Sequence, residues 1–164
     1  MCLNLNKLSD AELWAAVMCG FHLASRISEI EQLEDRDISC CKIDGRPCVS
    51  LAIRRSKTDK CQQGVHRTLV ATYCALCPVN GIAQWLDPKT WNPKSPNKVG
   101  GASIARRINE FLKDISLSKG MGVGRIISHP LRAGCATTLY ANGVVHVDIQ
   151  RWGRCRSPIY MRYV

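Results

Sequence analysis

No apolar run in this chain reaches the length of a membrane span, and the first residues lack the basic-then-apolar layout of a secretory leader. The first absence argues against a membrane partner, and the second leads us to expect an intracellular protein. No internal repeat or low-complexity tract interrupts the sequence. The glycine-rich stretch 118–124 lacks the Gly-x-x-x-x-Gly-Lys-Ser/Thr pattern, so it carries little weight as a nucleotide site. Cys74-x-x-Cys77 has metal-ligand spacing, but no second Cys-x-x-Cys or His-x-x-x-His follows it. His66, Cys61 and the Cys40-Cys41 pair would complete a site only by accident of folding. We therefore expect no metal and no cofactor. Without a leader, disulfides are not expected either, and the ten cysteines read as reduced thiols serving as small apolar residues.

What is present describes a globular protein. The 164 residues are 46% apolar, and we read 1–164 as one domain. Charge is unevenly placed: residues 1–50 hold five Lys/Arg against eight Asp/Glu, and residues 51–164 hold eighteen against five. A basic excess confined to the later part points to a polyanionic partner, most commonly nucleic acid.

Periodicity predicts an α+β fold, mainly helical, with a small three-stranded antiparallel sheet packed beside a helical body. Ser9-Asp10-Ala11-Glu12 has the form of a capping box, followed by Leu13, Ala16, Val17 and Phe21 at helical spacing. A second helix is expected from Ser25–Ser28, with Ile27, Ile30 and Leu33 inward. Taken by themselves, Arg26 and Glu29 on it read as an exposed ion pair of small energetic consequence. From Ile38 the period becomes two. Asp44-Gly45 is a hairpin dipeptide, Val49, Leu51 and Ile53 alternate, and 65–70 reads as a third strand. Pro78 opens a helix with Val79, Ile82, Trp85 and Leu86, and 87–101 reads as a surface loop. Ser103 precedes an amphipathic helix with Ile104, Ile108, Phe111 or Leu112, and Ile115 inward. Ser128-His129-Pro130-Leu131-Arg132 opens another, carrying Leu131, Cys135, Thr138 and Leu139 and stopping at Asn142-Gly143. His129 and Arg132, three apart, emerge on one face of its first turn, a combination suited to phosphate. Two short helices are expected between Val147 and Val164.

Three boxes, in order, carry a resemblance. They are Arg26-Ile27-Ser28-Glu29-Ile30; then Ile53-Arg54-Arg55-Ser56-Lys57-Thr58-Asp59; then His129-Pro130-Leu131-Arg132 followed by Gly153-Arg154-Cys155 and a tyrosine-bearing tail. Together they span nearly the whole chain and resemble the catalytic domain of the tyrosine recombinase (phage integrase) family, with a tail similar to members from eukaryotic mobile elements. The resemblance implies metal-free DNA strand cleavage and rejoining through a 3′-phosphotyrosine. Arg26 and Arg132 would stabilise phosphoryl charge, His129 would donate or transfer a proton, and Lys57 would protonate the leaving 5′-oxygen. Glu29 would orient the first arginine. Tyr163 falls where the family's nucleophile stands, with Tyr160 as its rival. Cys155 occupies the place of a His or Trp and is expected to weaken the site, since a thiol offers neither bulk nor a strong donor.

Arg54, Arg55, Lys60, Arg106, Arg107, Arg154 and Arg156 are the expected DNA contacts. Implied partners are double-stranded DNA and further copies of the chain, a tetramer by resemblance. The implied compartment is the nucleus in a eukaryote, or the cytoplasm or nucleoid for a bacterium or phage. The family's N-terminal DNA-binding domain is missing from this sequence, and a C-terminal truncation would fit its end one residue after Tyr163. The alternative function is a non-catalytic DNA-binding remnant that keeps the fold and its basic face.

Overall fold

A computed structural model describes residues 3–54, 63–86, 104–120, 130–155 and 161. In chain order these form α1 (Leu8–His22), α2 (Ile27–Ile30), a 3-10 turn (Asp35–Asp37), β1 (Ile38–Ile43), β2 (Arg46–Ile53), β3 (Val65–Val70), α3 (Pro78–Trp85), α4 (Ile104–Ser118), α5 (Pro130–Ala141) and α6 (His146–Trp152). The described residues are therefore α+β, mainly helical, with one three-stranded sheet in the order β1-β2-β3.

Both sheet pairings are antiparallel, with Ile38 opposite Leu51 and Ile53 opposite Val65. Asp44 (φ 49°) and Gly45 (φ 75°) both adopt left-handed backbone, as a two-residue hairpin of the right twist demands. Val49, Leu51 and Ile53 of the central strand and Leu69 of β3 are buried on one side, and α3 packs against β2 and β3. Arg67 lies on β3 in register with Val65 and Leu69, a cation on the strand's apolar phase.

Helix α1 is the centre of the body. Eight of its residues from Ala11 to Gly20 are buried, too many for a single stripe, because α2, α3, α4 and α5 all pack on it. A Cβ added at Gly20 would lie 2.6 Å from Leu131 Cδ1, and one at Gly81 2.9 Å from Met18 Cγ. Absent side chains at these two points let α5 and α3 approach α1 closely.

Two expectations fail locally. The first helix begins at Leu8 after Lys7, with no side-chain cap, rather than at Ser9. Asp10 instead accepts the Asn4 N–H at 3.0 Å, while Arg107 of α4 binds Glu12 at 2.9 Å and the Ser9 carbonyl. On α4, Ile104, Ile108 and Phe111 are buried as expected, but Ile115 is 36% exposed because the later turns of the helix extend past the core.

Three helices end in one way. After α1, Ala24 (φ 48°) donates to Phe21 O, and Ser25 N–H reaches back to Gly20 O, each at 3.1 Å. After α5, Gly143 (φ 77°) and Val144 repeat the pattern on Tyr140 and Leu139. After α6, Arg154 (φ 53°) and Cys155 repeat it on Arg151 and Gln150. These are left-handed helix terminations that favour glycine. Ala24 and Arg154 accept the conformation at a cost, and the surroundings must hold them there. What the two strained turns achieve is placement: they bring 25–26 and 154–155 together.

Candidate phosphate-binding site

Glu29 is the hub. It is 3% exposed, and its carboxylate closes the first turn of α2 by accepting the Arg26 backbone N–H at 2.9 Å. Its other oxygen lies 3.1 Å from Arg26 Nη1. From the far end of the chain, Arg154 Nη2 reaches the same carboxylate at 2.7 Å and Ser25 Oγ at 3.4 Å. The pair that by itself reads as an exposed surface contact is thus part of a largely covered cluster, with Arg154 of the turn after α6 on the same carboxylate. A carboxylate so placed fixes two guanidinium groups that would otherwise repel each other.

Arg132, on the first turn of α5, is 8% exposed. Its Nη2 donates to the Gly153 carbonyl and to Cys155 Sγ, the latter at 2.9 Å. Arg132 therefore holds the residues on both sides of Arg154. Arg67 enters from the sheet: its guanidinium lies 4.8 Å from the Trp152 ring centroid and donates to the carbonyls of Arg151 and Trp152, at 3.2 Å and 3.5 Å. The Trp152 indole N–H is in turn bound to the His22 carbonyl at 2.9 Å, fastening α6 to α1. Burial pulls the Arg154 guanidinium below its ordinary pKa; Glu29 opposes that shift, and the positive charges of Arg67, Arg132 and Arg26 reinforce it. Arg26, Arg67 and Arg132 thus lie within electrostatic range of Arg154, and two of the four guanidinium groups, Arg26 and Arg154, share the Glu29 carboxylate.

Several donors in this cluster have no hydrogen-bond partner among the described residues. They are Arg132 Nη1, Arg154 Nε and Nη1, and Arg67 Nε, all buried. Buried N–H groups of a cation left unmatched are costly, and an oxyanion with several acceptor oxygens would match them. A small cavity adjoins the cluster, lined by Ala24, Cys135, Leu139, Ile149 and Cys155. Burial pushes the Cys135 thiol there up to about 11, so this sulfur stays protonated.

The other expected contacts are dispersed. Arg54 forms a fork with Asp37, Nε to Oδ1 at 2.5 Å and Nη2 to Oδ2 at 2.7 Å, and adds Glu34 at 3.2 Å. Arg107 is held by Glu12, and Arg106 lies exposed on α4, 3.7 Å from Glu110. Lys57, Arg55, Lys60, His129, Arg156, Tyr160 and Tyr163 lie outside the described residues, as does Cys61. Of the expected catalytic and supporting set, then, Arg26, Glu29, Arg132 and Cys155 are brought together, and Arg154, expected as a DNA contact, joins them as a partner of Glu29 and Ser25. Arg67 was not anticipated, although an arginine on the apolar phase of an alternating strand was a visible signal. Among the described residues no three His, Cys, Asp or Glu side chains group as a metal site would require, and no helix is long and apolar enough to cross a membrane. Protein-family models give no match to the chain, and neither do curated proteins.

Proposed function

We propose that this chain cleaves and rejoins DNA strands through a covalent 3′-phosphotyrosine, on a catalytic domain of the tyrosine recombinase type. The observation that supports the proposal is the cluster of Arg26, Arg67 and Arg132 around Arg154, anchored on Glu29, with buried N–H groups that have no partner among the described residues. Guanidinium groups stay charged at neutral pH and offer paired donors. Preplaced in a water-poor site, they favour the extra charge that a phosphoryl group acquires in the transition state.

In this reading the Tyr163 hydroxyl attacks the scissile phosphorus, and the 5′-oxygen leaves with a proton from Lys57. Arg26 and Arg132 hold the non-bridging oxygens, and His129 serves proton transfer. The phosphotyrosine retains the bond energy, so a second 5′-hydroxyl can reverse the step on a new strand. Double-stranded DNA is the substrate, and further copies of the chain assemble on it.

A second reading, a DNA-binding remnant without cleavage, is favoured by one observation. Arg132 is turned inward, with Nη2 already committed to Gly153 and Cys155. Incubation with a nicked duplex, followed by denaturing electrophoresis, separates the two. The catalytic reading expects a covalent adduct that is lost in Tyr163→Phe and kept in Tyr160→Phe. No adduct, with binding that weakens steeply as salt rises, leaves the remnant. Affinity indifferent to salt removes both.

A further inference from the structure

Away from the arginine cluster, the loop between β3 and α3 brings two cysteines to one turn. Cys77 N–H donates to the Cys74 carbonyl at 3.0 Å, closing a four-residue turn through Ala75 and Leu76. Such a turn keeps its end Cα atoms within about 7 Å, and a disulfide spans Cα atoms about 4.4–6.8 Å apart. Both sulfurs also converge on Thr72. Its backbone N–H donates to Cys77 Sγ at 3.4 Å, and its hydroxyl lies 3.2 Å from Cys74 Sγ. Both thiols are free. They differ in access: Cys74 is exposed, whereas Cys77 is 2% exposed at the N-cap of α3.

We propose that Cys74 and Cys77 form a thiol–disulfide exchange site whose co-substrate is a low-molecular-weight disulfide of the glutathione type. The inference is independent of the DNA chemistry proposed above. The division of labour follows from exposure. Cys74, as thiolate, attacks one sulfur of oxidised glutathione; the glutathione S–S bond breaks, and one glutathione leaves as thiolate. Cys77, too enclosed to meet glutathione itself, then attacks Cys74 Sγ. The mixed disulfide breaks, the intramolecular bond forms, and the second glutathione leaves. Two electrons and two protons pass in total to two molecules of reduced glutathione. Excess reduced glutathione reverses both steps.

Local chemistry suits Cys77 to the resolving role. Burial pushes its thiol pKa up, but the N–H groups of Asn80, Thr72 and Tyr73 and the Thr72 hydroxyl together outweigh that, leaving it below the ordinary value. A thiolate at the start of a helix, receiving backbone donors, is the form that attacks. Tyr73, the residue just before the turn, adopts a left-handed φ of 53°.

The test equilibrates the full chain in a series of reduced and oxidised glutathione mixtures, traps free thiols by alkylation in acid-quenched samples, and weighs the tryptic peptide 68–89. That peptide contains no cysteines other than Cys74 and Cys77. The expected product is a peptide lighter by two hydrogens and unalkylated, returning to the doubly alkylated form in reduced glutathione. Cys77→Ser should stop at glutathione on Cys74, turning that adduct from a trace into the main species. Cys74→Ser, at an exposed position that leaves the fold intact, should keep Cys77 reduced. A wild-type peptide that stops at the mixed disulfide, or stays doubly alkylated throughout, overturns the proposal. So does protection of both thiols by stoichiometric zinc alone, which would mark a metal half-site instead.

Discussion

Arg154 and Glu29 stand 125 residues apart in sequence and meet at 2.7 Å, the carboxylate buried and the guanidinium largely covered. Glu29 also binds Arg26 through both its backbone and its guanidinium, so one carboxylate joins the first box of the sequence to the last. This relationship makes the charge cluster tolerable. Without the carboxylate, Arg26 and Arg154, both largely covered, would lie near buried Arg132 with no anion between them.

Glu29→Gln should accordingly cost about 3–5 kcal/mol, the range for stranding a buried charge. Urea unfolding followed by circular dichroism checks it, read as a lower midpoint at unchanged slope. The double variant Glu29→Gln with Arg154→Met should recover part of that loss, since no charge is then left stranded. Losses that simply add would mean the two side chains are not coupled.

Arg132→Lys keeps the charge but cannot span Gly153 and Cys155 while also keeping a second donor group, Nη1, beside them. Adduct formation on a nicked duplex should fall by roughly 10²–10³-fold, the usual effect of losing one transition-state donor. Affinity for the same duplex, measured by anisotropy, should change far less. Equal losses in both would place Arg132 in binding rather than in chemistry.

Cys155→Trp is expected to raise adduct formation, because an aromatic ring would cover the arginine site that a thiol leaves thinly packed. The cavity beside Cys155 is small and bordered by Arg132, Cys135 and Ile149, so the indole must displace neighbours. A stability loss of about 1–3 kcal/mol should accompany the gain. Thermal melting and the adduct assay, run on the same preparation, report the two effects separately. No gain in a folded variant removes Cys155 as the weak point.

His22 gives the chain an acid-sensitive joint. Burial holds its imidazole pKa below the usual value, with the contact to the Leu76 carbonyl at 3.0 Å opposing in part. The folded protein therefore prefers neutral His22, and the unfolded chain binds the proton more readily. Stability should be level above about pH 6.5, the unfolded pKa, and decline as pH falls from there through the lower folded value. Urea midpoints for the wild type and His22→Gln at pH 7.5 and pH 5.5 test the sign. The difference between the two pH values should shrink in the variant.

Element types were legible in the sequence because they rest on local physics. Alternation at Val49, Leu51 and Ile53 and the Asp44-Gly45 turn define β2 and its hairpin, and the recurrence of Ile104, Ile108 and Phe111 defines α4. Helix starts were less legible. At Ser9 the capping pattern was outweighed by Arg107, which arrives from α4 and occupies Glu12 and the Ser9 carbonyl. Among the described site residues, Arg26, Glu29, Arg132, Arg154 and Cys155 could be nominated from the three boxes. Their residue types followed from chemistry and their order from resemblance.

By itself, then, the sequence determined periods, turns, the basic character of residues 51–164 and a set of candidate residues, all of which depend on near neighbours or on counting. Only the tertiary structure decided which cations share a site. Arg54 and Arg107 look no different from Arg67 or Arg154 as letters, yet the first two are claimed by Asp37 and Glu12 while the latter two gather at Glu29 and Trp152. The reason is that a guanidinium's role is set by the partner within hydrogen-bond reach. That partner is chosen by how distant segments pack, through Gly20 beneath Leu131 and the left-handed turns at Ala24 and Arg154.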